Sequence, residues 1–196
     1  MDDGNFEAEF FQEFMDDIQR DAGVDLTDTT DKFLEVFGQT AAEAGDLPGD
    51  FERLWGINFK GSKPHRVDGW VHIDPNSGEL TLCISDFSSG KTKQNIDRTE
   101  SENLFKLCRR FYESSLDSSF VEELEEKHDA FKLASEIYAG REVITRVRLV
   151  LLTNKTSVVR KAFDIVEENG ITIVKNLFDF SRYFAISSGK WKKCEC

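Results

Sequence analysis

Between Val67 and Asp86 the chain reads VDGWVHIDPNSGELTLCISD, and no other stretch narrows the fold as much. Val67, Val71 and Ile73 alternate with Asp68, Trp70 and His72; beyond a Pro-Asn-Ser-Gly turn, Leu80, Leu82 and Ile84 alternate on the return. Alternation with period two gives a strand two different faces. The pair therefore reads as a β-hairpin. A second strand signal, VITRVRLVLLT, is β-branched and almost continuously apolar in its second half, as a strand buried on both faces requires.

Helical patterns flank these strands. Phe6, Phe10, Phe11, Phe14 and Ile18 form one apolar stripe with acids opposite, and after AGVDLTDTT a second helix, capped at Thr30, carries Phe33, Leu34, Phe37 and Ala41 as far as Gly45. FERLWGINFKG is a strand or an irregular lead-in, and KGSKPHR a basic loop. Thr99 with Glu102 fits a capping box for a helix through Phe105, Cys108 and Phe111; another helix runs from about Phe120 to Tyr138. The spacing predicts a helix over 157–168, a last strand ITIVKNLFDF after Asn169-Gly170, and a short final helix in FDFSRYFAISSG. Helices, hairpin, helices, then strand–helix–strand predict an α/β domain: a mixed central sheet with flanking helices, its last two strands made parallel by a right-handed crossover. The expected division is an acidic N-terminal helix over 1–28, the α/β domain over 29–188, and a basic, disordered tail over 189–196.

Charge is distributed unevenly. Residues 1–58 carry 16 acidic and 3 basic side chains, whereas residues 59–196 carry 21 and 22. Only the second part can approach a phosphate backbone, so any nucleic-acid partner is expected there. The acidic first part suits a basic protein partner or a solvated surface. No apolar run is long enough to span a membrane. Cys83, Cys108, Cys194 and Cys196 lack paired zinc spacing, the first two read as core residues, and a cytoplasmic location is expected. SSGKT at 88–92 lacks the upstream glycine of a phosphate loop.

The hairpin carries the candidate chemistry. Metal-assisted phosphodiester cleavage needs carboxylates converging on a hard cation such as Mg²⁺ or Mn²⁺, and Asp68 and Asp86 are the candidate ligands. They meet only if they share a face, so register decides. A four-residue turn from Pro75 to Gly78 sets Asp68 against Ser85 and sends the two aspartates to opposite faces. A three-residue turn, Asn76-Ser77-Gly78, sets Asp68 directly opposite Asp86. Turn chemistry favours the second, because Gly78 accepts the left-handed position. A catalytic lysine would stand at position 88, where the chain has Ser88; Arg66, Lys91 or Lys93 could bring positive charge instead.

RVDGWVHIDPNSGELTLCISDF, the preceding FLEVFGQTAAEAGDL helix, the following ENLFKLCRRFYESSL, and then LEEKHDAFKLASEIY, VITRVRLVLLTN and KNLFDFSRYFAISS resemble, in pattern and order, the N-terminal region of AIPR-type abortive infection and phage resistance proteins over roughly 29–188. That region is similar in layout to the PD-(D/E)xK restriction-endonuclease-like fold. The resemblance implies that Asp68 matches the first metal aspartate, with Val67 in place of the usual proline. Asp86 matches the acid of the second motif, and Ser88 departs from its lysine. It also implies an assisting acid from the preceding helix, Glu35 or Glu43. The candidate catalytic set is thus Asp68, Asp86, Glu43 and Lys91, with Asp68 and Asp86 on the metal. Such proteins are longer, so a fragment or stand-alone version is expected. Three functions compete: a non-catalytic, degenerate nuclease-fold module that binds or regulates in a phage-defence protein; a Mg²⁺- or Mn²⁺-dependent nuclease; and an acidic decoy for a basic or DNA-binding protein. Ser88 and the acidic first 58 residues favour the first.

Overall fold

The computed structural model describes residues 3–48, 51–54, 58–59, 64–124 and 129–189. Two helices open the chain, α1 (Asp3–Asp25) and α2 (Thr29–Glu43), followed by the short strands β1 (Phe51–Arg53), β2 (Asn58–Phe59) and β3 (His65–Arg66). The hairpin strands β4 (Gly69–Val71) and β5 (Glu79–Asp86) lead through β6 (Asn95–Ile96) to α3 (Arg98–Ser115), α4 (Ser118–Glu123) and α5 (Asp129–Gly140). The chain closes with β7 (Arg146–Thr153), β8 (Thr156–Ser157), β9 (Val166–Glu168), β10 (Ile171–Phe178) and α6 (Phe180–Ser187). The expected basic tail, with Cys194 and Cys196, lies outside the described residues apart from its first position, as do His128 and much of the 60–66 loop.

Six strands form one mixed sheet in the order β1-β4-β5-β7-β10-β9, with β5, β7 and β10 mutually parallel at its centre. Both faces are covered. Leu80, Leu82 and Ile84 of β5 and Val147, Leu149 and Leu151 of β7 pack towards α3 and α5. The alternate residues Cys83, Val150 and Leu152 pack towards α1, α2 and α6. This explains why Trp70, which alternation alone would set on a polar face, is fully buried opposite Leu82: the two faces of these strands meet two helical layers rather than core and solvent. Burial pushes the Cys83 and Cys108 thiols far above their ordinary range, as expected of core residues.

The phenylalanines concentrate on the α1–α2–α6 side. Phe37 lies within 6 Å of the rings of Phe14, Phe33, Phe178 and Tyr183, stacked on the last at 4.5 Å. Phe11, Phe14, Met15 and Ile18 dock α1 onto this layer and are each at most 5% exposed. At about 2 kcal/mol for each large apolar side chain buried, those four rival the net stability of a typical domain, about 5–15 kcal/mol. Helix α1 is therefore a fixed part of the fold.

Several local expectations are corrected. Helix α2 is capped by Asp28, whose side chain accepts from the Thr30 amide, rather than by Thr30. The capping box of α3 is Asp97 with Glu100, two residues ahead of Thr99 and Glu102. The stretch from Phe120 to Tyr138 holds two helices, because Leu124 turns extended after α4. Residues 157–168 are not a helix: β8 gives way to irregular chain and then to β9, which pairs antiparallel with β10. Asn169 and Gly170 both have positive φ, 52° and 80°, which makes them a two-residue hairpin turn. The β-branched residues Val158, Val159, Ile165 and Val166 around them also disfavour helix. The expected parallel pairing of the last two long strands holds, since β10 runs beside β7 from Thr172↔Arg146 to Phe178↔Leu152.

Candidate functional site

The turn is the four-residue alternative and not the three-residue one that turn chemistry favours, and along β4 the pairing departs from both. Next to the turn, the Asp74 amide donates to the Glu79 carbonyl, so Pro75 to Gly78 form a four-residue loop, with Gly78 left-handed at φ 66°. Along β4 the partners are instead Val71↔Thr81, Trp70↔Leu82 and Gly69↔Cys83, one residue out of step with the turn. His72 and Ile73 together face the single residue Leu80, which is a bulge. Its cause is α5: Glu136 accepts from the Ile73 amide at 3.0 Å and bonds His72 Nδ1, drawing both out of the ladder. Beyond Gly69 the Asp68 amide donates to the Cys83 carbonyl at 2.8 Å and its carboxylate reaches Ser85, so Asp68 does not stand opposite Asp86.

Asp68 is closely held. Arg66 donates from Nε to Oδ1 at 2.8 Å and lies 2.7 Å through Nη2 from Oδ2. Ser85 donates to Oδ2 from its amide at 2.6 Å and from its hydroxyl at 2.8 Å. Ser85 shares the face of Cys83, towards α2, whereas Asp86 follows Ile84 to the α3 face. There Asp86 pairs with Lys155 Nζ at 2.8 Å, and its carbonyl accepts from the Thr153 hydroxyl. The two aspartates are thus engaged separately, each by a cation from the chain. Among the described residues, no group of three or more His, Cys, Asp or Glu side chains is arranged to hold a metal ion.

The other candidates are dispersed. Glu43 accepts from Gln39 at the C-terminal end of α2. The acid of that helix that senses Asp68 is Asp31, whose carboxyl is raised by burial, then by Asp28, against the lowering effect of Arg53. Twelve helical residues, about 18 Å, separate the two positions. Glu35 lies beside Arg53 and Lys32. Lys91 pairs with Asp16 of α1 and Lys93 with Glu7. The Ser88 amide donates to the buried Asn154 side chain, which donates back to the Ser88 carbonyl. Asp31 and Lys155 were missed in the sequence. Lys155 had one available signal: it follows a strand predicted to be buried and parallel, and parallel strands present functional groups at their C-terminal ends.

The family model for the abortive infection phage resistance protein N-terminal domain matches residues 33–185. The chain belongs to this family. No curated protein and no solved structure matches. The matched span of the abortive-infection domain takes in every strand and helices α3 to α5; it begins within α2 and ends within α6, so α1 lies ahead of it.

His72 forms a second polar cluster, on the rim of the abortive-infection domain. Its Nε2 meets Glu52 of β1 at 2.8 Å and its Nδ1 meets Glu136 at 2.6 Å, while Lys132 pairs with Glu52. The hydrogen bond to Glu52, then that to Glu136, raises the His72 pKa above its usual value against partial desolvation. The protonated ring stabilises the fold fully below its unfolded pKa, about 6.5, and that contribution is lost as pH rises through the higher folded value. With the ring half-exposed the effect is below about 1 kcal/mol. Thermal melts between pH 6 and 9 are expected to show a drop in the wild type that His72→Gln lacks.

Proposed function

We propose that the domain serves abortive-infection defence as a non-catalytic binding and regulatory module, on a restriction-endonuclease-like frame whose cutting chemistry has lapsed. The observation that carries this reading is the Arg66–Asp68 pair. A divalent cation at Asp68 would have to displace a guanidinium engaged with both carboxylate oxygens and compete with two Ser85 donors. Replacing an internal cation in this way yields little, because the metal must also be dehydrated. Ser88, at the position of the motif lysine, adds to the reading.

The test is incubation of the wild type with Mg²⁺ or Mn²⁺ and, separately, supercoiled plasmid, single-stranded DNA and RNA. The expected result is no metal-dependent cleavage above that of an Asp68→Asn/Asp86→Asn variant. Cleavage by the wild type that this variant lacks would contradict the reading. One observation favours the nuclease alternative: Lys155, two residues beyond the end of the adjoining parallel strand β7, lies 2.8 Å from Asp86 and brings a lysine close to the second-motif acid. Under that alternative, Lys155→Ala would abolish cleavage.

A further inference from the structure

Helix α1 crosses the C-terminal ends of the parallel strands. Its Met15 Sδ accepts from Asn154, which follows β7, and its Glu7 accepts from Ser181 of α6. Between β5 and β6 the loop carries Lys91 and Lys93. Asp16 of α1 takes Lys91 at 2.8 Å, Glu7 takes Lys93 at 2.9 Å, and Gln12 donates to the Lys91 carbonyl at 3.2 Å. Ligands of open α/β sheets bind at this end of the strands. Two lysines, 2 residues apart on one exposed loop, offer the positive charge that neutralises backbone phosphates.

We propose that this loop is a nucleic-acid-binding surface whose Lys91 and Lys93 are occupied, in the isolated domain, by Asp16 and Glu7 of α1, two carboxylates standing where backbone phosphates would lie. The ion pairs are partly solvent-exposed, with Lys91 60% and Lys93 33% accessible. Such pairs are weak, so phosphates can replace them. The aromatic docking of α1 is strong by comparison. Relief therefore comes from neutralising or outcompeting the two carboxylates, not from lifting the helix away. This also gives part of the acidic excess in residues 1–58 a purpose: it lowers the affinity of a basic loop for nucleic acid. The inference rests on reading the domain as a binding module.

The test is fluorescence anisotropy with labelled single-stranded DNA, duplex DNA and RNA, in a chelator so that no metal contributes. Four proteins are compared with the wild type: Glu7→Gln/Asp16→Asn, Lys91→Gln/Lys93→Gln, the combination of all four changes, and Glu122→Gln/Glu123→Gln. The last pair changes the net charge equally from exposed positions in α4, on the opposite side of the sheet. Neutralising Glu7 and Asp16 is expected to tighten binding at least about tenfold at about 50 mM salt and to steepen the salt dependence by about 2. The fourfold variant should lose both changes. Unchanged affinity would overturn the proposal, as would an equal gain in the α4 control or a gain that survives loss of the lysines. Because metal is excluded, a domain that proved to be a metal-dependent nuclease would still be judged on these affinities alone.

Discussion

Asp68→Ala is expected to lower the melting temperature by about 6–12 °C, corresponding to about 3 kcal/mol. The size of the effect follows from what the carboxylate holds. Arg66 and Asp68 are 26% and 14% exposed, so removing the acid leaves a largely buried guanidinium without its counter-charge. The Ser85 amide also loses its acceptor at 2.6 Å. Asp68→Asn, which keeps an oxygen for Ser85 but not the charge, should cost about half as much. A ligand residue on an open face would behave differently, since truncating it costs little stability. Thermal denaturation of the two variants therefore separates a structural aspartate from a metal ligand without any activity assay.

Phe37→Ala should be more damaging still, at about 3–5 kcal/mol and about 10–15 °C. Phe37 is wholly buried and touches rings from α1, α2, β10 and α6. These neighbours belong to four separate elements fixed by their own packing, so the site cannot collapse to fill the space. Denaturant unfolding of Phe37→Ala and Phe37→Leu would measure the cost; the leucine variant retains most of the volume and should lose markedly less.

What could be read from the sequence, and what could not, follows the range of the interactions involved. Helices α1, α2, α3 and α6 were visible because their apolar residues repeat with helical period. Strand β5 was visible from the alternation of Leu80, Leu82 and Ile84, and β7 from its β-branched, almost continuously apolar run. The Asp97-Arg98-Thr99-Glu100 capping box was misplaced by two residues, although an aspartate with a glutamate three residues on was there to be seen. Asn169-Gly170 was equally legible as a hairpin turn, but the apolar residues before it were given helical spacing. The hairpin register was not legible. It depends on Glu136 bonding the Ile73 amide across 63 residues of chain, a contact that no local turn rule encodes. Asp68 lies just outside that ladder, where its amide meets the Cys83 carbonyl and its carboxylate is held by Arg66 and Ser85. The same limit hid Lys155, which reaches Asp86 only because β5 and β7 are parallel neighbours.

The most direct test of whether this hairpin retains a metal site is calorimetric titration of the wild type with Mn²⁺, repeated on Asp68→Asn and Asp86→Asn. No saturable heat is expected in any of the three, because Arg66 and Lys155 already neutralise the two carboxylates. Saturable binding of one ion by the wild type, lost in both variants, would contradict it and return the domain to the metal-dependent nucleases.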